Sequence, residues 1–247
     1  MRYLILSDIH SNIPALNAVL ESTRRHYYNR TLILGDLVGY GADCNEVVTA
    51  VRLLKGKKQS VRGNHDKVAA GLEHGAYFNI TALSAIAWTR RALSAENLTF
   101  LKAVPRGPAS VSKELLICHG SPMDEDEYLF TDYDAYRVFQ AFPQRIILFG
   151  HTHIPMVFNL SSEGISITFP RESTFRLKLD PHSRYLINPG SVGQPRDRNP
   201  MAAFAILDDK RNSLMIQRVA YPIATAQKSI RDAGLPDVLA RRLEEGA

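Results

Sequence analysis

The sequence is poor in cysteine and has no long apolar run. Its 247 residues include only Cys44 and Cys118, which are far apart and form no CxxC pair, so a disulfide framework is disfavoured. This usage is typical of a reducing compartment and predicts a cytoplasmic protein. The apolar stretch Tyr3–Leu6 is too short for the core of a signal peptide. No segment approaches the roughly 18 apolar residues of a membrane span, so a membrane protein is not expected.

The chain also lacks a strong excess of charge. Its 30 Lys and Arg residues against 25 Asp and Glu residues give a net charge of +5, which favours anions but selects no class of partner. The basic clusters at 24–25 and 55–58 are short, and no aromatic stacking patch accompanies them, so nucleic acid is a disfavoured partner. The apolar share of 45% and the charged share of 22% exclude disordered and fibrous classes.

The length is sufficient for a large core. A chain of this size buries enough surface to fold without disulfides or a structural metal, so any metal site is expected to be functional. No repeat, low-complexity tract or linker is evident, and we predict a single domain over residues 1–247.

Apolar runs alternate with helical patterns in the first half of the chain, which predicts an α/β fold with a largely parallel sheet. Asp43 with Glu46 three residues later predicts a capping box at a helix start. After His153 the spacing changes to strands separated by turns, which predicts a mainly antiparallel last third followed by one or two helices. Segment 170–184 is predicted to form a hairpin, whose basic residues either edge the cleft or contact another copy in a homo-oligomer.

Five predicted strands each end in residues of the types that bind metals. Because the carboxyl ends of strands in an open α/β sheet gather along one edge, these clusters are expected to meet. They follow strands Tyr3–Leu6, Thr31–Leu34, Gln59–Val61, Leu115–Cys118 and Arg145–Phe149, and contain Asp8 and His10, Asp36, Asn64 and His65, His119, and His151 and His153.

The spacing and chemistry of these residues indicate divalent metal ions. Asp8-x-His10 and His151-x-His153 place both members of each pair on one side of an extended chain. Oxygen and nitrogen donors without thiolates suit Mn, Fe, Zn, Ni or Co better than calcium. Seven ligands are too many for one ion.

The ordered motifs resemble those of the calcineurin-like metallophosphoesterases. The resemblance extends over residues 8–153, and the segment Asn-Pro-Gly-Ser-Val-Gly-Gln-Pro-Arg at 188–196 is similar to the small bacterial and archaeal phosphodiesterase branch. It implies a four-layer α-β-β-α sandwich of two mixed β-sheets flanked by helices. It also implies two divalent ions, Mn2+ foremost with Fe, Zn, Ni, Co or Mg as alternatives, which activate a bridging water against a phosphate ester.

The same resemblance implies a role for each motif residue. His65 is the general acid and Asp66 orients it, while Arg62 matches a phosphate-binding position. The first metal is held by Asp8, His10, Asp36 and His153, and the second by Asp36, Asn64, His119 and His151.

The sequence departs from the protein phosphatases of this superfamily at Tyr40, where those enzymes carry a phosphate-binding arginine. We therefore expect a metallophosphoesterase that hydrolyses a small phosphorylated molecule, either a phosphodiester or a nucleotide. Arg196 and Arg198 are expected at the surface, with contact to a second phosphate or a nucleotide as the alternative. The alternatives are a nuclease for single-stranded nucleic acid and a non-catalytic interaction scaffold, although His65 argues against the scaffold.

Overall fold

Two six-stranded β-sheets form the centre of the computed structural model, which describes residues 1–247. Both sheets are mixed, because parallel strands on one side of each sheet meet antiparallel strands on the other. The first sheet has the order β3 (Lys57–Ser60), β2 (Arg30–Ile33), β1 (Arg2–Leu6), β11 (Ala202–Asp208), β12 (Ser213–Val219) and β9 (Thr174–Lys178). The second has the order β4 (Ala109–Ser110), β5 (Leu115–Ile117), β6 (Ile146–Leu148), β10 (Arg184–Asn188), β7 (Met156–Ser161) and β8 (Gly164–Thr168).

Eight helices accompany the sheets, and local capping explains where several begin. The Asn12 side chain accepts a hydrogen bond from the Ala15 amide, and Ser94 caps its helix in the same way through Asn97. The helices are α1 (Ile13–Thr23), α2 (Cys44–Leu53), α3 (Asn64–Ala69), α4 (Ile80–Ala92), α5 (Ala95–Ala103), α6 (Asp132–Ala141), α7 (Ile223–Asp232) and α8 (Asp237–Glu245). None of them is long and apolar enough to cross a membrane.

Apolar side chains form three layers. One layer lies between the two sheets and includes Ile5 and Leu148. A second packs α1 and other helices on the outer face of the first sheet, and a third packs α6 on the outer face of the second sheet. Because strand side chains alternate between faces, each central strand contributes to the middle layer and to an outer layer. The expected four-layer α-β-β-α sandwich is confirmed.

Two local predictions are wrong. Segment 170–184 is not a hairpin, because β9 pairs with β12 in the first sheet while β10 pairs with β6 and β7 in the second. The chain crosses between sheets there. Asp43 precedes α2 as expected, but its side chain makes no capping bond to the helix.

The topology places six strand ends together. Strands β1, β2 and β3 run parallel in the first sheet, as do β5, β6 and β10 in the second. The loops that follow five of these strands, all except β10, carry the predicted metal ligands, and they lie at one edge of the sandwich.

Candidate metal centre

Backbone and side-chain hydrogen bonds join the loops of the two sheets. The His151 amide donates to both carboxylate oxygens of Asp8 at 3.2 Å, which links the loop after β6 to the loop after β1. The loop after β10 contacts both, since Ser191 donates its hydroxyl to the Asp8 carbonyl and Asn188 donates its amide to the Gly150 carbonyl. Three strand-end loops therefore form one connected unit.

The predicted ligands form two buried groups that share Asp36. Within each group the donor atoms lie within 4.8 Å of one another. Asn64 belongs beside the second group, because its Oδ1 atom is 3.2 Å from His119 Nε2. The first group is Asp8, His10, Asp36 and His153, and the second is Asp36, His119 and His151.

The two carboxylate oxygens of Asp36 have different surroundings. Oδ1 accepts a hydrogen bond from the His65 amide at 2.9 Å. Oδ2 is buried without a hydrogen-bond partner and lies 3.5 Å from His10 Nε2 and 3.4 Å from His119 Nε2. A carboxylate oxygen in that position costs free energy unless a cation or a proton compensates it. The residues present therefore fit a divalent metal ion.

Each histidine of the two groups has one ring nitrogen on a backbone carbonyl. Because a carbonyl only accepts, that nitrogen carries a proton, and the other nitrogen is the one that can bind a metal ion. In His119 the second nitrogen would give up its own proton when the ion binds. His10 Nδ1–H donates to Val38 at 3.1 Å, His119 Nδ1–H to Leu34 at 2.7 Å, His153 Nδ1–H to Gln194 at 2.6 Å and His151 Nε2–H to Asp126 at 3.1 Å.

Burial controls the charge of these groups. It raises the pKa of Asp8 to about 7 and lowers the pKa of His10, His151 and His153 well below the ordinary value, so the three rings are neutral at neutral pH. Burial opposes protonation of His119 as well, but the adjacent Asp36 carboxylate raises its pKa to about 10.

The backbone at the ligands is unusual. Five of them adopt left-handed φ angles, a region that residues other than glycine rarely enter. Such conformations cost about 1–3 kcal/mol each and concentrate at functional sites. The five angles are 52° at Asp8, 48° at His10, 53° at Asp36, 66° at His151 and 60° at His153.

Metal binding is expected to stabilise the fold. At a hundredfold excess over Kd, a ligand of the native state adds about 2.7 kcal/mol to the free energy of unfolding. For a chain of this size, Mn2+ added to chelator-stripped protein is then expected to raise Tm by about 5–10 °C. Differential scanning calorimetry with and without Mn2+ measures the shift.

The exposed His182 offers a matched control. His182→Ala is expected to keep the whole shift in Tm, whereas His119→Ala is expected to lose most of it. An equal shift in both variants would mean that the ions bind elsewhere.

The His65 ring lies beside the first group, where aromatic side chains surround it. Its centroid is 4.3 Å from that of Tyr40, 4.7 Å from that of Phe78 and 4.9 Å from that of His10. Burial lowers the pKa of His65 to about 4, and its Nδ1 atom has no hydrogen-bond partner. Contacts with these neighbouring rings and the position of the backbone, rather than a hydrogen bond at Nδ1, therefore orient the His65 ring.

Two expected contacts are not found. Asp66 does not hydrogen-bond the His65 ring; its carboxylate accepts the Leu37 and Gly63 amides at 2.9 and 3.1 Å and so ties the loop after β2 to α3. Arg62 is absent from the cleft lining and forms a two-pronged ion pair with Glu125 at 3.1 and 3.3 Å.

Gly39 is essential to the position of His65. Its φ is +93°, and a Cβ atom added there would lie 2.3 Å from His65 Nδ1. We expect Gly39→Ala to reduce kcat by at least about tenfold, because His65 must move, and to cost about 1–2 kcal/mol of stability for the left-handed backbone alone.

Gly71→Ala is the control, since its φ of +73° imposes a similar backbone cost while the nearest atom is 3.7 Å away. Comparison of kcat and of the free energy of unfolding separates the two effects. A kcat as high in Gly39→Ala as in Gly71→Ala would contradict the assignment.

A cleft of about 540 Å³ opens over the two groups. Several lining residues were not foreseen, namely Tyr77, Phe78 and Tyr128, which lie on loops without a sequence signal. Arg196 also lines the cleft, contrary to its expected surface position, whereas Arg198 is exposed. Arg196 follows β10, which runs parallel to β6. The carboxyl end of β10 therefore lies at the same edge, and this placement could have been predicted for Arg196. The lining is Asp36, Tyr40, Asn64, His65, Tyr77, Phe78, Asn79, Ala82, Asp126, Tyr128, His151, His153 and Arg196.

Comparison with known proteins shows similar chains across most of the length. The chain is 40% identical over 244 residues to an uncharacterized protein of Methanocaldococcus jannaschii, covering 97% of this chain and 96% of that protein. The crystal structure of a metallophosphoesterase from Sphaerobacter thermophilus matches with 36% identity, a TM-score of 0.87 and complete coverage of both chains.

A hypothetical protein of Pyrococcus horikoshii OT3 shares the fold, with a TM-score of 0.80 at 20% identity over 100% of this chain and 98% of that chain. Residues 1–212 match the model of the calcineurin-like phosphoesterase superfamily domain. The chain therefore belongs to the calcineurin-like phosphoesterase superfamily and is a hydrolase of the metallophosphoesterase type.

Proposed function

We propose that this protein hydrolyses the phosphate ester of a small molecule at a centre of two divalent metal ions. The observation that carries the proposal is the unpartnered Oδ2 atom of Asp36, which lies between His10 of one group and His119 of the other. A carboxylate in that position can serve both groups through its two oxygens. The proposal treats residues 1–247 as one domain, and the two buried free cysteines support a cytoplasmic location.

The chain provides four protein ligands for each ion. Asp8, His10, Asp36 and His153 would hold the first, and Asp36, Asn64, His119 and His151 the second. When bound, divalent ions supply Lewis acidity toward the phosphate and activate water for attack. Nitrogen and oxygen donors suit Mn2+, with Fe, Zn, Ni, Co or Mg as alternatives.

His65 is the proposed general acid for the leaving oxygen. Its side chain lines the cleft next to the first group. Burial keeps the ring neutral in the free protein, but a negatively charged phosphate nearby favours the protonated form. Substrate binding is thus expected to load the proton that the leaving group receives.

The cleft supports a compact substrate with a flat apolar part. About 150 Å³ of the cleft is accessible to the centres of water molecules, which favours a small ligand. Four aromatic rings line it, which favours an aromatic ester or a nucleotide over a simple alkyl phosphate. They are Tyr40, Tyr77, Phe78 and Tyr128.

The test is hydrolysis after removal and return of metal. Chelator-stripped protein is assayed with and without Mn2+ on p-nitrophenyl phosphate, bis-p-nitrophenyl phosphate, a panel of nucleotides that includes dinucleoside polyphosphates, and single-stranded DNA. We expect Mn2+-dependent turnover of a small ester or nucleotide. Intact metal binding without turnover of any of these would refute the proposal, and turnover confined to DNA would identify a nuclease.

A further inference from the structure

The cleft contains one side chain with a permanent positive charge, and that side chain has no acidic partner. Arg196 is the one Lys or Arg residue in the lining. Its Nη2–H group donates to the Tyr40 hydroxyl at 3.1 Å and to Gln194 Oε1 at 3.3 Å, and its guanidinium carbon lies 5.6 Å from the Tyr40 ring centre. All of these partners are neutral.

The two fully buried cations of this protein are paired with carboxylates. Arg184, which is partly buried without a carboxylate, donates instead to three backbone carbonyls. Lys67 contacts Glu73, Glu125 and Asp126, and Arg218 contacts Asp197. A cation removed from water without a counter-charge is costly. Arg196 has neither a carboxylate nor a set of backbone carbonyls around its guanidinium, and it lies in the cleft, where a ligand can supply the missing negative charge.

The backbone holds Arg196 next to the metal ligands. Its amide donates to the His153 carbonyl at 3.3 Å, and the Gly193 amide donates to the Asp8 carbonyl at 2.9 Å. Divalent ions at the two groups would add further positive charge beside the guanidinium. An anionic ligand would then balance the positive charge of Arg196 and of the ions together.

Tyr40 completes the arrangement. Its hydroxyl oxygen accepts from Arg196, so its own proton is free to donate to a second acceptor. The Tyr40 side chain is buried against His10 and His65, with ring centres 4.7 and 4.3 Å apart. Guanidinium and phenol donors are therefore fixed on the same side of the cleft as the proposed general acid.

We propose that Arg196 and Tyr40 form the subsite that binds the non-bridging oxygens of the substrate phosphate. The inference rests on the proposed function, because it assigns these residues to the same reaction. Arg196 lies on the loop after β10 and provides a positive charge. Tyr40 lies on the loop after β2 and provides a neutral hydrogen-bond donor. The ligand class is a phosphate mono- or diester or inorganic phosphate, the product of full hydrolysis.

The experiment measures phosphate binding and turnover separately. Isothermal titration of the Mn2+-loaded protein with inorganic phosphate gives Kd, and initial rates with bis-p-nitrophenyl phosphate give KM and kcat. We expect Arg196→Ala to raise both Kd and KM by about 10- to 100-fold, the effect of one lost charge-assisted interaction. Metal content is expected to be unchanged.

Variants distinguish a direct contact from a structural role. Arg196→Lys is expected to recover only part of the affinity, because an ammonium group lacks the planar fork of arginine. Added guanidinium ion is expected to restore part of the Arg196→Ala activity, and Tyr40→Phe to raise Kd severalfold. Arg198→Ala removes the same charge from the same loop outside the cleft and is expected to behave as the parent protein.

The results separate this inference from the proposed function. Absence of turnover in the parent protein would refute the function, while the phosphate titration would still decide the subsite. A phosphate Kd in Arg196→Ala equal to that in Arg198→Ala would overturn the subsite, as would loss of metal from Arg196→Ala.

Discussion

Asp36→Asn is expected to abolish metal-dependent hydrolysis, with kcat/KM reduced by about 10³-fold or more. The substitution removes the negative charge that both ligand groups share and replaces one oxygen donor with an amide NH2 that cannot bind a cation. The Lewis acidity of bound metal contributes several kcal/mol to such reactions, and about 1.4 kcal/mol corresponds to a factor of ten. Metal analysis after gel filtration and steady-state rates measure the two effects.

Asp43→Asn provides the matched control, because Asp43 is half-buried and lines a small pocket with His10 but belongs to neither ligand group. The same chemical change there is expected to preserve metal content and rate. If Asp36→Asn retains full metal content and full activity, Asp36 does not connect the two groups.

His65→Ala is expected to lower kcat by about 10²- to 10⁴-fold while metal content is preserved. General acid catalysis contributes that factor when the leaving oxygen needs a proton. The loss is expected to be small for p-nitrophenyl esters, whose leaving group departs as an anion, and large for alkyl or nucleoside esters. Rates for a series of leaving groups of increasing pKa measure this dependence.

His74 is exposed, and His74→Ala serves as the control with full activity expected. A loss in His65→Ala that is the same for every leaving group would contradict the role of acid, and would leave His65 as a substrate-positioning residue.

The sequence was most informative about the metal centre. Each ligand follows a short apolar strand, and parallel strands align their carboxyl ends, so the order along the chain predicts proximity in space. Asp8, Asp36 and His119 are brought together in this way. The positions of these residues can be predicted because the sheet, rather than one particular side-chain partner, determines them.

The sequence was less informative where side-chain partners decide the outcome. Nothing in the local pattern around Arg62 indicates that Glu125, 63 residues later, neutralises it. Segment 170–184 is misread for a related reason, since strands that are neighbours in sequence usually pair, whereas β9 and β10 belong to different sheets. Pairing across long sequence separations depends on the whole core, which periodicity does not describe.

The left-handed backbone at the ligands affects which substitutions would stabilise this protein. Asp8, His10 and Asp36 combine a disfavoured φ angle with a buried polar side chain, and each feature opposes folding. In the metal-free protein, glycine, which adopts such angles freely, would relieve both features at these positions. Glycine would also remove the metal ligand, so the stability of the metal-free fold and the capacity to bind metal oppose one another at these positions. Redesign that optimises the stability of the metal-free fold alone would therefore tend to replace the metal ligands first.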